Sequence, residues 1–299
     1  MDSATRAFVL SGGGSLGAVQ VGMLQALGDR GIEPDLLVGT SAGGVNALWV
    51  ACHGMSDASL ARLAQIWTGL RRGEVFPVSV AQALQALLGR GRALSSSSFL
   101  GDLVQTHAGI DDLSGAGIPV HLVATDLLNG ADVLISSGSP SDAVRASAAI
   151  PGVFPPVWLD GRWLVDGAMA AHSGVHQAAR LGATEIYVLS AGVACALVEP
   201  PRSALGIAMH ALTQLIEQRL ISSVAEPPPG ATVRLLPPLC PVAVSPADFS
   251  HAAQLIRRAR LASAEWLAEG RDRLPDQARF LALHDHGAPR GPGAGLASR

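Results

Sequence analysis

Two short apolar runs in this chain each end in a cluster of glycines and pass straight into a helical pattern, and that arrangement limits the possible folds more than any other feature. The first is AFVLSGGGSLGAVQVGMLQAL at 7–27 and the second LLVGTSAGGVNAL at 36–48. A short apolar run without alternation reads as a strand buried on both faces, and a helix that follows it across a tight turn is the repeating unit of a parallel sheet. Glycine-turned strands and helical stretches continue to about residue 187 and on to a strand at 185–190. The expected fold is therefore α/β, a mainly parallel central sheet flanked by helices on both faces in three layers. With 48% hydrophobic and 15% charged residues among 299, the chain can bury one large core, so 1–286 is expected to be a single domain. The closing GAPRGPGAGLASR, 287–299, has little to bury and is expected to be a disordered tail.

Ser41 stands in a GxSxG between the second apolar run and its helix, flanked by Gly39, Ala42 and Gly43. Small neighbours permit a sharp strand-to-helix turn that lifts the hydroxyl clear of the backbone, and the helix N-terminus favours negative charge developing there. The same letters also fit a plain glycine-rich turn. At the first junction, Gly12, Gly13 and Gly14 free successive backbone amides to converge on a small anion, as an oxyanion hole or as a phosphate cradle. Gly12, Gly14 and Gly17 also spell GxGxxG, but no acidic residue ends the second strand to hold a ribose. A Walker loop is excluded as well, because Ala18 stands where it needs lysine.

The third segment is ASAAIPGVFPPVWLDGRWLVDGAM at 146–169. Strands around 157–159 and 162–165 flank the tight-turn pair Asp160 and Gly161, and Asp166 follows beside Gly167. A carboxylate at a strand end is placed either to accept a proton or to cap a helix expected at about 168–181.

These three elements in this order resemble the patatin-like phospholipases, with motifs across about 7–188 and a fainter likeness through the PADFSHAAQLIRRA helix. The resemblance implies Ser41 as nucleophile, Asp166 as its base without a histidine, and Gly12, Gly13 and Gly14 as the oxyanion hole. Gly17, Gly39, Gly43 and Gly167 complete the motifs, and SAAIPGVFPPV is similar to the segment before the family's aspartate. The chemistry is self-consistent: a serine hydroxyl needs an adjacent base to attack an ester carbonyl, and an aspartate must be partly desolvated to serve as one. Implied is a hydrolase acting on a lipid or acyl ester, of phospholipase A, lysophospholipase or carboxylesterase type. Transfer of the acyl group to an alcohol, and a catalytically silent binding protein, are the alternatives. Two positions depart from the family pattern. Leu16 stands where relatives commonly carry a basic residue, and Ala168 to Ser173 replaces a second glycine followed by asparagine and proline.

A conventional α/β-hydrolase triad is the other enzymatic reading, with His251, His284 and His286 available, but Ser41 follows only two strands. His172 and His176 lie near Asp166 at helical spacing without an HExxH or a cysteine partner, so no metal is expected. No cofactor is expected either. Between the motifs, 60–70 and 80–88 read as helices, with Leu60, Leu63, Ala64 and Trp67 on one stripe. Residues 71–99 are a candidate cap over the site or, equally, a solvated surface loop. Within 205–224, Leu205, Met209, Leu212, Leu215, Ile216 and Leu220 fall on one side, a face suited to core packing or to a lipid surface. A strand at 232–236 and a helix at 246–269 are expected to close the domain. Nothing at the N-terminus reads as a secretion signal and no run approaches a membrane span. Cys52, Cys195 and Cys240 are scattered without metal spacing, which fits a reducing cytosol. A net charge of -3 with no basic aromatic patch argues against nucleic acid. A cytoplasmic protein in transient contact with membranes is expected, of undetermined oligomeric state.

Overall fold

The structure is a computed structural model that describes residues 5–77, 93–169, 174–197 and 199–281. His172, His284, His286, the helix expected at 80–88, the centre of the 71–99 cap segment and the tail from 287 lie outside the described residues. In chain order the elements are β1 (Arg6–Leu10), α1 (Ala18–Gly28), β2 (Leu36–Thr40), α2 (Ala42–His53), α3 (Asp57–Gly69), α4 (Arg72–Val75) and α5 (Ser98–His107). Then come β3 (Val120–Asp126), β4 (Asp132–Ile135), α6 (Pro140–Ser147), β5 (Val157–Leu159), β6 (Arg162–Asp166) and α7 (Gly174–Arg180). The chain continues through β7 (Glu185–Leu189), α8 (Ala204–Ala225), β8 (Thr232–Leu235) and α9 (Ala252–Ala268).

Strand pairing runs β5-β6-β3-β2-β1-β7-β8, with β4 also on β3. From β3 to β8 the pairs are parallel, whereas β4, β5 and β6 enter antiparallel. Period-2 alternation makes this a three-layer α/β fold. In β1, Phe8 and Leu10 face one core while Ala7 and Val9 face the other, and in β7 Tyr187 and Leu189 oppose Ile186 and Val188 in the same way. The larger core is completed by α1, α2, α3 and α9, through Met23, Leu48, Leu63 and Ile256 among others. The smaller one is completed by Val175 and Ala178 of α7 and Leu220 and Val224 of α8. Among the described residues, no helix is long and apolar enough to cross a membrane.

The pairing of β3 decides where two functional candidates meet. Leu122 pairs with Gly39 of β2 and Ile135 of β4, so β2 and β4 lie on opposite edges of β3. Ala124 pairs with Val133 of β4 and Asp166 of β6, which puts β6 on the edge that β2 occupies. There β2 stops at Thr40 beside Val123, and β6, running the other way, stops at Asp166 beside Ala124. The two strand ends meet head-on, and the residue after Thr40 is Ser41.

Most expected elements form where the pattern puts them, including the hairpin turn, where Asp160 and Gly161 both take positive φ (48° and 75°). Of the α3 stripe, Leu60, Leu63 and Trp67 are buried. Three expectations need correction. The last helix begins at Ala252, not 246, because Ser245 and Asp248 organise a turn: Asp248 N–H donates to Ser245 O at 2.9 Å and Ser250 N–H to Asp248 Oδ1 at 2.9 Å. The residues directly after Asp166 are not α-helical, since Gly167–Met169 form a 3₁₀ turn, and the described part of the following helix is Gly174–Arg180. The inner face of α8 is not the apolar stripe alone: Met209 and Leu220 are buried as expected, but Leu215 is 53% exposed while Thr213 and Glu217 are buried. Glu217 turns inward to accept the Ser190 hydroxyl at 2.9 Å.

A buried polar network ties the layers at their centre. Asn46 of α2 donates to Gly17 O (3.0 Å) and Gln20 Oε1 (2.9 Å) and accepts from Trp67 Nε1 (2.7 Å), while Gln20 donates to Ser11 O (2.8 Å) and Leu189 O (3.0 Å). Asn46→Ala leaves an indole N–H and two oxygens unpaired in the core, each costing about 1–3 kcal/mol. The expected result is a loss of about 3 kcal/mol or more in unfolding free energy, read from the urea midpoint at unchanged m-value.

Candidate active site

Ser41 sits between β2 and α2 with φ 53° and ψ -122°. Positive φ costs a non-glycine residue about 1–3 kcal/mol, so the surroundings must hold this turn in place. Ser41 N–H donates to Ser147 Oγ at 2.9 Å, and that hydroxyl donates to Val123 O at 2.6 Å, fastening the turn to β3. Ser41 O accepts from Gly44 N–H at 2.9 Å and Val45 N–H at 3.3 Å, which starts the helix. Close approach explains both glycines of the motif. A side chain at Gly39 would meet Ala47 Cβ and Gly43 O at 2.7 Å, and one at Gly43 would collide with the carbonyls of Leu10 and Ser11.

Asp166 is 0% exposed. Its Oδ1 accepts from Ala168 N–H at 2.8 Å, so it does cap the short turn that follows, while Oδ2 has no hydrogen bond of good geometry. Burial pushes the carboxyl up to about 6, partly offset by the Ala168 N–H and the neighbouring Ser41 hydroxyl. The backbone is held independently. Asp166 N–H donates to Ala149 O at 3.0 Å, Thr125 Oγ1 donates to Asp166 O at 3.0 Å, and Arg219 Nη1 donates to Ala168 O at 2.7 Å. Gly167 passes so close to Val123 O that no side chain fits.

The triple glycine lies against Ser41 from the other side. A side chain at Gly12 would meet Ser41 Cβ at 3.2 Å, Gly13 packs on Ala191, and Gly14 (φ 57°) packs on Pro246 O. Among the described residues, the N–H groups of Gly12, Gly13 and Gly14 donate to no protein acceptor. They are available to an oxygen bound beside Ser41, as amides of an oxyanion hole must be. Gly17 packs against Trp67, and Leu16, 1% exposed, belongs to the larger core. Ser41 and Gly14 line a pocket whose walls are almost wholly apolar, including Trp67, Phe76, Leu100, Ile150, Phe154 and Phe249. The described end of the 71–99 segment supplies Val75 and Phe76 to that wall. Among the described residues, no histidine lines the pocket; His251 faces Asp248 at 3.5 Å, 46% exposed. Among the described residues, no cluster of His, Cys, Asp or Glu is arranged to hold a metal.

The candidates named from the motifs therefore converge; Ser147 and Ala149 lie in the SAAIPGVFPPV segment without their roles being legible there, and Thr125 and Arg219 carried no signal of their own. Ser147 is 106 residues from the turn that it fastens.

The family model for patatin-like phospholipase matches residues 8–179, more than half of the chain, and the chain belongs to that family. An uncharacterised NTE family protein of Mycobacterium tuberculosis is 33% identical over 163 residues, 54% of this chain and 42% of that protein. The neuropathy target esterase of Drosophila melanogaster is 28% identical over 189 residues, 62% of this chain and 13% of that protein. A lysophospholipase of Aspergillus niger is 27% identical over 191 residues, 62% and 12% respectively. The chain spans less than half the length of each of these relatives.

The raised carboxyl fixes the sign of a pH effect on stability. Folding favours protonated Asp166, so its contribution is fully present below the unfolded value near 3.8 and is lost as pH rises through about 6. Asp166→Asn removes this term. The stability of the wild type relative to the variant is expected to fall by about 3 kcal/mol between pH 4 and 7, measured by urea unfolding of both proteins across that range; parallel profiles would show an unperturbed carboxyl.

Proposed function

We propose that this chain is a serine lipid-acyl hydrolase working through a Ser41–Asp166 dyad. The observation that carries the reading is a fully buried carboxyl, raised to about 6, beside a strained serine that lines an apolar pocket. The acyl chain of the substrate lies in that pocket, where Phe76 and Phe154 shield it from water. Asp166 takes the hydroxyl proton as Ser41 Oγ bonds to the ester carbon. The carbonyl oxygen gains the negative charge and is held by the free amides of Gly12 to Gly14 and by the N-terminal end of α2. Collapse breaks the ester bond, and the leaving alcohol takes the proton from Asp166. Water then attacks the acyl-serine, giving its proton to the same carboxylate, and the fatty acid leaves as Ser41 is reprotonated. A base near 6 is ionised at neutral pH yet more basic than an exposed aspartate, which resolves the difficulty of using a carboxylate without histidine.

The direct test is a panel of p-nitrophenyl esters, phosphatidylcholine and lysophosphatidylcholine with free fatty acid as the readout. Ser41→Ala is expected to abolish covalent fluorophosphonate labelling and to lower turnover at least ~1000-fold while the protein stays folded. Asp166→Asn is expected to lose activity on the same scale, because an amide cannot take the proton. Retention of more than about a tenth of wild-type turnover, under ~1.4 kcal/mol of barrier, removes Asp166 as base. His251→Ala is expected to stay within about threefold of wild type, the opposite of what a histidine triad requires.

The pH profile supplies a separate check. The base must be ionised, so kcat/KM on a soluble ester is expected to fall as pH drops through about 6. A profile flat down to pH 4.5 would leave the carboxyl without this role.

A further inference from the structure

We propose that Cys195 and Cys240 form a reversible intrachain disulfide that staples together the two loops supporting the triple-glycine loop. The two sulfurs, 45 residues apart in the chain, lie 4.0 Å from each other as thiols. Bond formation at about 2.05 Å asks them to close by roughly 2 Å. Cys240 is exposed and Cys195 half-buried, so small oxidants reach the pair.

The position of the pair gives the bond its consequence. Cys195 belongs to the loop after β7, where Ala191 packs on Gly13 and donates its N–H to Ser11 Oγ at 3.0 Å. Cys240 belongs to the loop after β8, whose Pro246 O packs on Gly14 and accepts Ser15 N–H at 2.8 Å, while Ser245 O accepts Ser15 Oγ at 3.1 Å. The two loops already touch where the sulfurs meet, through Ala196 N–H on Val242 O (2.9 Å) and Val242 N–H on Cys195 Sγ (3.5 Å). A glycine loop has no side chains to hold it and takes its shape from this cradle. A cross-link there restrains the loop from both sides.

The oxidant we name is a peroxide. Desolvation and the adjoining Cys195 sulfur push Cys240 up to about 11. One sulfur of the pair, reacting as its thiolate, displaces hydroxide from the peroxide, breaking the O–O bond and leaving a sulfenic acid. The other sulfur then attacks it and gives up its proton, the S–S bond forms and the hydroxyl departs as water. In sum, two thiols and one hydrogen peroxide give one disulfide and two waters, with two electrons passing from sulfur to oxygen. The remaining thiol, Cys52, is half-buried in α2 and held up to about 11 by burial, and takes no part.

The catalytic consequence rests on the reading of Gly12–Gly14 as the oxyanion hole; the cross-link itself does not. The experiment treats the purified full chain with hydrogen peroxide and counts thiols after denaturation, with peptide mapping to locate the bond. The expected result is a fall from three thiols to one on a monomer, a mapped Cys195–Cys240 bridge, and a Tm about 5 °C or more higher that dithiothreitol reverses. Cys195→Ser and Cys240→Ser are each expected to abolish the bridge and the Tm gain, and Cys52→Ser to keep both. The time to half-inactivation of p-nitrophenyl ester hydrolysis at elevated temperature is expected to lengthen on oxidation. Three thiols after treatment, bridging between chains through Cys240, or oxidation of Cys195 to the sulfinic acid overturns the proposal. A bridge that forms and raises Tm in a protein with no esterase activity overturns the active-site reading alone.

Discussion

The structure depends on one strand edge. β3 offers a single row of backbone groups that β2 occupies as far as Val123 and β6 from Ala124 onward, so a parallel and an antiparallel partner end against each other. Because the two run in opposite senses, both contribute their C-terminal ends to the junction, and those ends carry Ser41 and Asp166. Hydrogen-bond register sets their separation, with no flexible loop between them. The hydroxyl of Ser147 and that of Thr125 fasten the two ends to the same strand, through Val123 O and Asp166 O. A site built on ladder pairing in the core holds its geometry more rigidly than one assembled from surface loops.

This rigidity is used to hold two unfavourable features in place. Ser41 occupies a positive φ, and Asp166 buries a carboxyl that burial alone would keep protonated. Both cost stability, and in the proposed reaction both are used: the first turns the nucleophile into the pocket, the second raises a base. A second buried acid, Glu217, is pushed up to about 7 by burial, partly offset by the hydrogen bond it accepts from the Ser190 hydroxyl. The two raised carboxyls sit on the two supports of the Ser41 neighbourhood, one at the end of β6 and one against the loop after β7. The large apolar core and the Asn46–Gln20–Trp67 network compensate for this tension from the opposite layer.

What the sequence disclosed follows the range of each interaction. Ser41, the glycines of both turns and Asp166 were legible because each is defined by neighbours within a few residues, and the hairpin turn of Asp160 and Gly161 for the same reason. The α/β class was legible because strands buried on both faces leave an unbroken apolar signature. Ser147, Arg219 and Asn46 were not, since their partners lie 106, 51 and up to 29 residues away and a lone polar residue in an apolar context has no periodicity. The start of α9 was misplaced because Pro246 is a good first helical residue in isolation, whereas its carbonyl is occupied by Ser15 N–H. The face of α8 was misjudged because Glu217 reads as a solvated position until Ser190 is brought beneath it. Cys195 and Cys240 looked scattered for the same cause, being adjacent only after β7 and β8 pair.

The glycine loop shows why long-range supports are indispensable here. Three residues without side chains expose amides at little steric cost, but they contribute almost nothing to fixing their own conformation and lose the most entropy on ordering. Order must come from outside, and it arrives from elements late in the chain: Ala191 after β7, Pro246 after β8, and Met209 and Ile216 of α8. The family match ends at residue 179, before any of these. The motif therefore specifies which amides face the serine, while the segment after the match specifies how firmly they are held.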